Sequence, residues 1–202
     1  MKLNDIRDVA VIGSGVIGYS WALSFAMNGH KVRVYDVKDD ALKLAKSRIH
    51  DSLENLASNK VLNPNKIEKI ESRISYTTSI ENAVKNTKFI VESGPEKYEV
   101  KWSIVNDVEK YASEDAIIAS STSGLLITEI AKNAKHPERF IGAHPYNPPH
   151  LIPLVEITKG EKTKDENEQL AYVLYKSIKK EPVIIQKEAL GFICNRIQMA
   201  VY

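Results

Sequence analysis

Apolar positions along this chain fall into two alternating kinds of run. Short runs, continuous or at period two, occur at residues 9–12, 31–35, 73–77, 89–91, 116–119, 140–142, 154–157 and 182–186, and these read as β-strands. Longer stretches with apolar residues on one face lie between many of them, at 41–59, 80–85, 98–111, 128–134 and 165–179, and these read as helices. Leu62-Asn63-Pro64-Asn65 breaks the first of these helices. Strands that alternate with helices require crossover connections. The expected fold is therefore α/β and Rossmann-like, a mostly parallel sheet with helices on both faces. No repeat, low-complexity tract or flexible linker interrupts the order. Residues 191–202 read as the opening of one more helix, with Phe192, Ile193, Ile197, Met199, Val201 and Tyr202 apolar and no stop signal behind them.

The first strand, Val9-Ala10-Val11-Ile12, runs directly into Gly13-Ser14-Gly15-Val16-Ile17-Gly18, and the second delivers Asp36. This order is a dinucleotide-binding fingerprint. Gly13 allows the tight strand-to-helix turn, Gly15 lets backbone N–H groups approach a pyrophosphate, and Gly18 lets the helix pack closely on the strand. Val16 and Ile17 open that helix, whose unpaired N–H groups and dipole favour an anion. A carboxylate at Asp36 accepts from both ribose hydroxyls of NAD and repels the 2′-phosphate of NADP, with Lys38 nearby acting in the opposite sense. Glycine-rich turns also occur for ordinary folding reasons, but here strand, turn, helix, strand and acid all arrive in order. Residues 9–29 carry no charged side chain and are long enough to span a bilayer. Their four glycines and several polar residues argue against a membrane reading.

Bulk composition narrows the classes further. A chain of 202 residues with 43% apolar and 27% charged residues is of ordinary globular make-up and large enough for one sizeable core. Its net charge of +2, with both signs interleaved, leaves no footprint for nucleic acid. The single cysteine, Cys194, excludes an intrachain disulfide and a cysteine-based zinc cluster, and its apolar setting reads as a buried, inert thiol. His30, His50, His136 and His150 lack metal-like spacing with carboxylates and read as surface or turn residues, so no metal site is expected. With no export signal before the first strand, the expected compartment is the cytoplasm.

A second cluster of unusual residues is Gly142-Ala143-His144-Pro145-Tyr146-Asn147-Pro148-Pro149, followed by Ile152-Pro153-Leu154-Val155-Glu156. A histidine at a strand end, with a carboxylate on the next strand, can form a His–Glu pair that exchanges a proton near neutral pH. Such a position falls where open α/β sheets bind ligands, outside the C-terminal ends of the strands. The alternative is a histidine that merely hydrogen-bonds a loop. Ser120-Ser121-Thr122-Ser123-Gly124 follows another strand and either caps the next helix or lines the same crevice. Val91-Glu92-Ser93-Gly94-Pro95-Glu96 repeats that placement, which brings Glu96 within reach of the nicotinamide side.

Taken together, the Gly13–Gly18 turn, Glu96, Ser121-Thr122-Ser123, His144-x-x-Asn147-Pro148, Leu154-Val155-Glu156 and Gly191-Phe192-x-x-Asn195-Arg196 resemble the 3-hydroxyacyl-CoA dehydrogenase family over nearly the whole chain. The resemblance implies NAD-dependent oxidation of an L-3-hydroxyl group to a 3-keto group. It makes His144 the catalytic base, Glu156 its acidic partner, and Ser123 and Asn195 the groups that hold the substrate's 3-oxygen. Asn147 is then a further active-site group and, with Ser121, a cofactor-binding one, Glu96 lies near the nicotinamide ribose, and Asp36 at the adenosine ribose. Details such as Trp21 and the proline pattern around His144 are most similar to the lambda-crystallin branch, which includes L-gulonate 3-dehydrogenase and has carnitine dehydrogenase as a relative. Ser52 falls on the family's CoA-contacting serine, while the lysine partner falls on Asn59 with Lys60 beside it. The expected substrate is a short 3-hydroxyacyl-CoA of the 3-hydroxybutyryl type. A free 3-hydroxy acid, or a non-catalytic NAD-binding role, stands as the alternative. The resemblance also divides the chain into an NAD-binding domain, 1–188, and the first helix, 189–202, of a helical domain that completes the cleft and forms the dimer. It implies a homo-oligomer or a separate helical subunit as partner.

Overall fold

The computed structural model describes residues 1–201. Its first half runs β1 (Asp8–Ile12), α1 (Val16–Met27), β2 (Lys31–Tyr35), α2 (Asp39–Ser58), α3 (Ile67–Glu71), β3 (Ile74–Thr77), α4 (Ile80–Val84) and β4 (Phe89–Glu92). The second half runs α5 (Tyr98–Glu109), β5 (Ile117–Ser120), α6 (Ile127–Ile130), β6 (Phe140–Pro145), β7 (Leu154–Lys159), α7 (Asp165–Ser177), β8 (Glu181–Ile185) and α8 (Cys194–Val201). All eight strands join one sheet in the order β3-β2-β1-β4-β5-β6-β7-β8. Neighbours are parallel except β6 and β7, which pair antiparallel, so β7 and β8 run against the rest. The sheet's order turns back at β1 and β4, the crevice where such sheets bind nucleotides.

Helices cover both faces, each over its own core. On one face Trp21 and Phe25 of α1 meet Tyr175 of α7 and Phe89 of β4. All four residues are fully buried, and each such side chain contributes roughly 1.5–3 kcal/mol on burial. The charge-free run 9–29 is explained here: α1 is apolar nearly all round because it is enclosed by the sheet, α2, α3 and α7. No described helix is long and apolar enough to cross a membrane. α2 instead buries one stripe, Leu42, Ala45, Ile49, Leu53 and Leu56, at helical spacing, and its first turn carries Asp39 and Asp40, which suit the helix dipole. On the opposite face α4, α5 and α6 close a second cluster over Ala10, Ile12, Ile90 and Ile118.

Three expectations change. After the break at Asn63, Pro64 opens a short 3₁₀ turn that leads directly into α3, a helix the sequence did not suggest; the Asn63 side chain caps Asn65 N at 3.0 Å. β6 extends through His144 to Pro145, held by pairing with Glu156 and Val155. The last helix begins at Cys194 rather than 191, because Gly191 and Phe192 both adopt positive φ, 75° and 49°. Tyr202 lies outside the described residues.

Candidate active site

Parallel strands β1 to β6 all end at one rim, and the backbone ladder continues there: Ser93 N donates to Ile12 O at 2.7 Å, and Ser121 N to Glu92 O at 2.8 Å. The glycine turn sits at the centre. Gly13 has φ of 97°, and a Cβ on it would lie 2.6 Å from the Ser93 carbonyl oxygen. A Cβ on Gly18 would lie 1.8 Å from Gly13 O, so α1 docks on the turn through bare backbone. Gly15 differs, because a Cβ there would meet nothing within 4 Å. It faces open space at the N-terminus of α1, beside Val16 and Ile17, with no side chain capping the helix. Asp36 stands beside this cradle: its Oδ2 accepts from Ser14 N (2.9 Å) and Ser14 Oγ (2.8 Å), and Oδ1 from Lys38 N (3.3 Å). Next to it opens a cavity of about 290 Å³ lined by Tyr35, Asp36, Val37, Ile80, Val100 and Ile104 among others. An open, uncapped helix N-terminus, an acceptor for ribose hydroxyls and an apolar slot fit a dinucleotide. Such a cofactor, when bound, accepts or returns a hydride. The slot's apolar residues carry no motif, and sequence reasoning passed over them.

Glu96 is drawn onto the hydroxyl-rich turn. Its Oε1 accepts from Thr122 Oγ1 (2.6 Å), Ser123 N (2.8 Å) and Gly124 N (3.0 Å). The turn therefore organises the rim and does not cap α6, whose Thr128 N and Oγ1 instead donate to Glu188. Ser121 Oγ receives Trp21 Nε1 at 3.2 Å and lies 3.1 Å from Ser93 Oγ. Beneath these turns is a buried ion pair that sequence reasoning missed. Lys101 Nζ donates to Glu92 Oε2 at 2.8 Å, with both side chains 1% exposed, and Glu92 also accepts from Gly94 N and Ser120 Oγ. A carboxylate at the end of an otherwise apolar strand was the available signal, because a buried charge requires a partner.

His144 and Glu156 are directly opposite in the antiparallel β6–β7 pair, and His144 Nδ1 lies 2.8 Å from Glu156 Oε2. The twelve-residue separation is thus a cross-strand pair. Both residues are buried. Burial alone would push the Glu156 carboxyl up, but hydrogen bonds from His144, the Cys194 and Ile193 N–H groups and Tyr146 together hold it below the usual carboxylate range. An ionised Glu156 keeps the His144 proton on Nδ1 and leaves Nε2 as the acceptor nitrogen, the form a general base needs. The positive φ values at Gly191 and Phe192 turn the chain so that Ile193 N and Cys194 N both donate to Glu156 Oε1 at 3.1 Å. They also lay the Phe192 ring on the imidazole, 5.3 Å between centroids and 25° between planes. Phe192 is 1% exposed, so it does not join an exposed apolar helix face, and Cys194 is half-buried rather than fully buried.

The remaining site candidates are placed as follows. Asn195 Nδ2 donates to the Ser123 carbonyl at 2.9 Å, which joins α8 to the hydroxyl turn. Asn147 is exposed on the loop between β6 and β7, before a cis bond to Pro148. That loop is anchored by buried Lys180, whose Nζ donates to the carbonyls of Pro149 and, at 3.3 Å, Ile152; burial pulls this ammonium down to about 8. Ser52 is not brought to the His–Glu pair. Its hydroxyl donates to Arg48 O, and it lines a separate hollow of about 310 Å³ with Asp51, Asn55, Leu56, His150 and Leu151. His150 is half-buried and holds Ser20 Oγ at 3.1 Å, and burial followed by the Lys180 charge lowers its pKa. No group of three or more metal-ligating side chains occurs among the described residues.

A nucleotide cradle that shares its rim with a buried His–Glu pair fits a dehydrogenase domain. Residues 8–189 match the family model described as 3-hydroxyacyl-CoA dehydrogenase, NAD binding domain, and the chain belongs to that family. Among its relatives are the L-carnitine dehydrogenase of Oceanobacillus iheyensis, 39% identical over 98% of this chain and 63% of that protein, and a 3-hydroxyacyl-CoA dehydrogenase of Gibberella moniliformis, 35% identical over 98% and 60%. The (S)-3-hydroxybutyryl-CoA dehydrogenase of Ralstonia eutropha has a solved structure that superposes with a TM-score of 0.93 at 31% identity, covering 97% of this chain and 69% of that one. The chain spans roughly three-fifths of the length of these curated relatives, at 63% and 60%.

Proposed function

We propose that this domain serves the NAD-dependent oxidation of an L-3-hydroxyl group to a 3-keto group, with His144 as the base. The observation that carries this reading is the His144–Glu156 pair at 2.8 Å, with the carboxylate held ionised, on the same sheet rim as the nucleotide cradle. His144 Nε2 takes the hydroxyl proton as the hydride leaves the carbinol carbon, and Glu156 stabilises the imidazolium. Ser123 and Asn195, joined at 2.9 Å, orient the oxygen, and Asn147 borders the same site. Asp36 holds the adenosine ribose, while Glu96 and Ser121 lie at the nicotinamide ribose. Apolar Ile193, Ile197, Met199 and Val201, all exposed, form the face that a helical unit of the same or another chain covers.

For the substrate we favour a free 3-hydroxy acid of the carnitine type over a CoA thioester. The hollow at Ser52, where the family resemblance would lay a CoA, is lined by one carboxylate, Asp51, and by no lysine or arginine to meet phosphates. The named L-carnitine dehydrogenase relative supports the same choice. A short 3-hydroxyacyl-CoA is the second reading, supported by the superposition on the 3-hydroxybutyryl-CoA dehydrogenase. The test is a screen of L-carnitine, L-gulonate and 3-hydroxybutyryl-CoA for NADH formation, by the chain alone and with the helical portion of a relative added. Turnover of the thioester alone would overturn the substrate choice, and no turnover of any substrate would overturn the enzymatic reading.

A further inference from the structure

Glu156 has one polar neighbour to which the proton-transfer reading gives no role. The Tyr146 hydroxyl donates to Oε2 at 3.1 Å, and this is the oxygen that faces His144 Nδ1 at 2.8 Å. The Tyr146 ring lies 5.1 Å from the imidazole and tilted by 52°, while Phe192 stacks against the imidazole at 5.3 Å. With Ile193 N and Cys194 N on Oε1, the carboxylate serves four donors from three separate segments. We infer that Tyr146 is a positioning residue that sets the basicity of His144 by sharing the Glu156 oxygen, an inference that rests on the reading of His144 as the base.

The physical reason is competition for one anionic oxygen. A donor on Oε2 draws charge away from the side that faces His144, so an imidazolium formed there meets a weaker counter-charge. Tyr146 can act as a donor throughout, because burial, the Cys194 thiol and the Glu156 charge all oppose its ionisation. The titratable groups that face the pair are Glu156 from β7, Tyr146 from the loop after β6, and Cys194 from α8. Among the described residues, Glu156 makes its one ion pair with His144.

The Tyr146→Phe variant removes a single oxygen and keeps the ring. In the ¹⁵N-labelled chain, the His144 ring resonances, assigned with His144→Gln, are followed through a pH titration by two-dimensional ¹H–¹⁵N spectroscopy. The expected result is an upward shift of the His144 midpoint by about one pH unit in Tyr146→Phe, the scale of one hydrogen bond to a charged acceptor. In Glu156→Gln the same Tyr146→Phe change is expected to produce no shift. An unmoved or lowered midpoint in the single variant overturns the proposal, as does a shift that persists without the carboxylate. Where turnover is measurable, the acid limb of kcat should move with the midpoint while KM for NAD stays constant. If His144→Gln retains turnover, the proton-transfer reading fails; the titration, which needs no turnover, reports separately on Tyr146.

Discussion

Asp36 and Glu156 are both carboxylates at one rim of the sheet, and they are held in opposite ways. Asp36 is half-exposed and takes its donors from the adjoining turn and its own strand end. Glu156 is 2% exposed and takes four donors from β6, the loop after it and the start of α8. A half-exposed carboxylate can exchange a donor for a ribose hydroxyl at little cost. A buried one that loses a donor keeps an uncompensated charge. The nucleotide side is thus a receptor shaped by backbone, and the His–Glu side a charge arrangement fixed before any substrate arrives.

The sharpest way to break the nucleotide side is through its backbone. Gly18→Ala places a Cβ 1.8 Å from Gly13 O, which should lower stability by about 3–4 kcal/mol, on the order of other severe steric insertions, and abolish NAD binding. Thermal unfolding and a fluorescence titration check both, and a wild-type midpoint would mean that α1 docks with slack.

On the other side, Glu156→Gln should reduce turnover by about ten- to a hundredfold through a less stabilised imidazolium. It should also alter acid stability. Glu156 is depressed below its ordinary 4.5 in the folded state, so its contribution is complete above that value and is lost as pH falls through the lower, folded value. Urea midpoints measured from pH 6 to pH 3 should therefore fall less steeply in Glu156→Gln than in wild type. Parallel curves would show that the carboxylate is not held as described.

Asp36→Ala should change selectivity more than stability, narrowing the preference for NAD over NADP by about tenfold, or 1.4 kcal/mol. Equal affinity for both cofactors in the wild type would remove this role from Asp36. The smallest effect on chemistry belongs to Ile197→Asp on the exposed face of α8. NAD affinity should be unchanged, and any self-association of the chain seen in sedimentation should weaken.

Legibility in the sequence followed the same division. The glycine turn, Asp36 and the alternation of strands and helices were readable because each is local: one segment of chain carries both the pattern and its consequence. The His144–Glu156 pair was readable by residue type, but its geometry came from strand pairing, and other carboxylates near the rim take donors from far along the chain, as Glu188 does from Thr128 and Glu96 from Thr122. Phe192 was misread because an apolar residue next to a helical pattern is ordinarily part of its face. Its positive φ, which places it on His144, has no sequence signal beyond the preceding glycine. Ser52 was matched by likeness alone, and its hydroxyl bonds within its own helix.

In the proposed function a division of labour separates the two regions, one holding the nucleotide and the other moving the proton. It is tested most directly by measuring NAD affinity and turnover side by side in His144→Gln, using whichever substrate and helical partner support activity. The expected affinity is within about twofold of wild type and the expected turnover is reduced by roughly a hundred- to ten-thousandfold, the usual scale of general-base loss. Undiminished turnover, or loss of NAD binding in step with turnover, would contradict it.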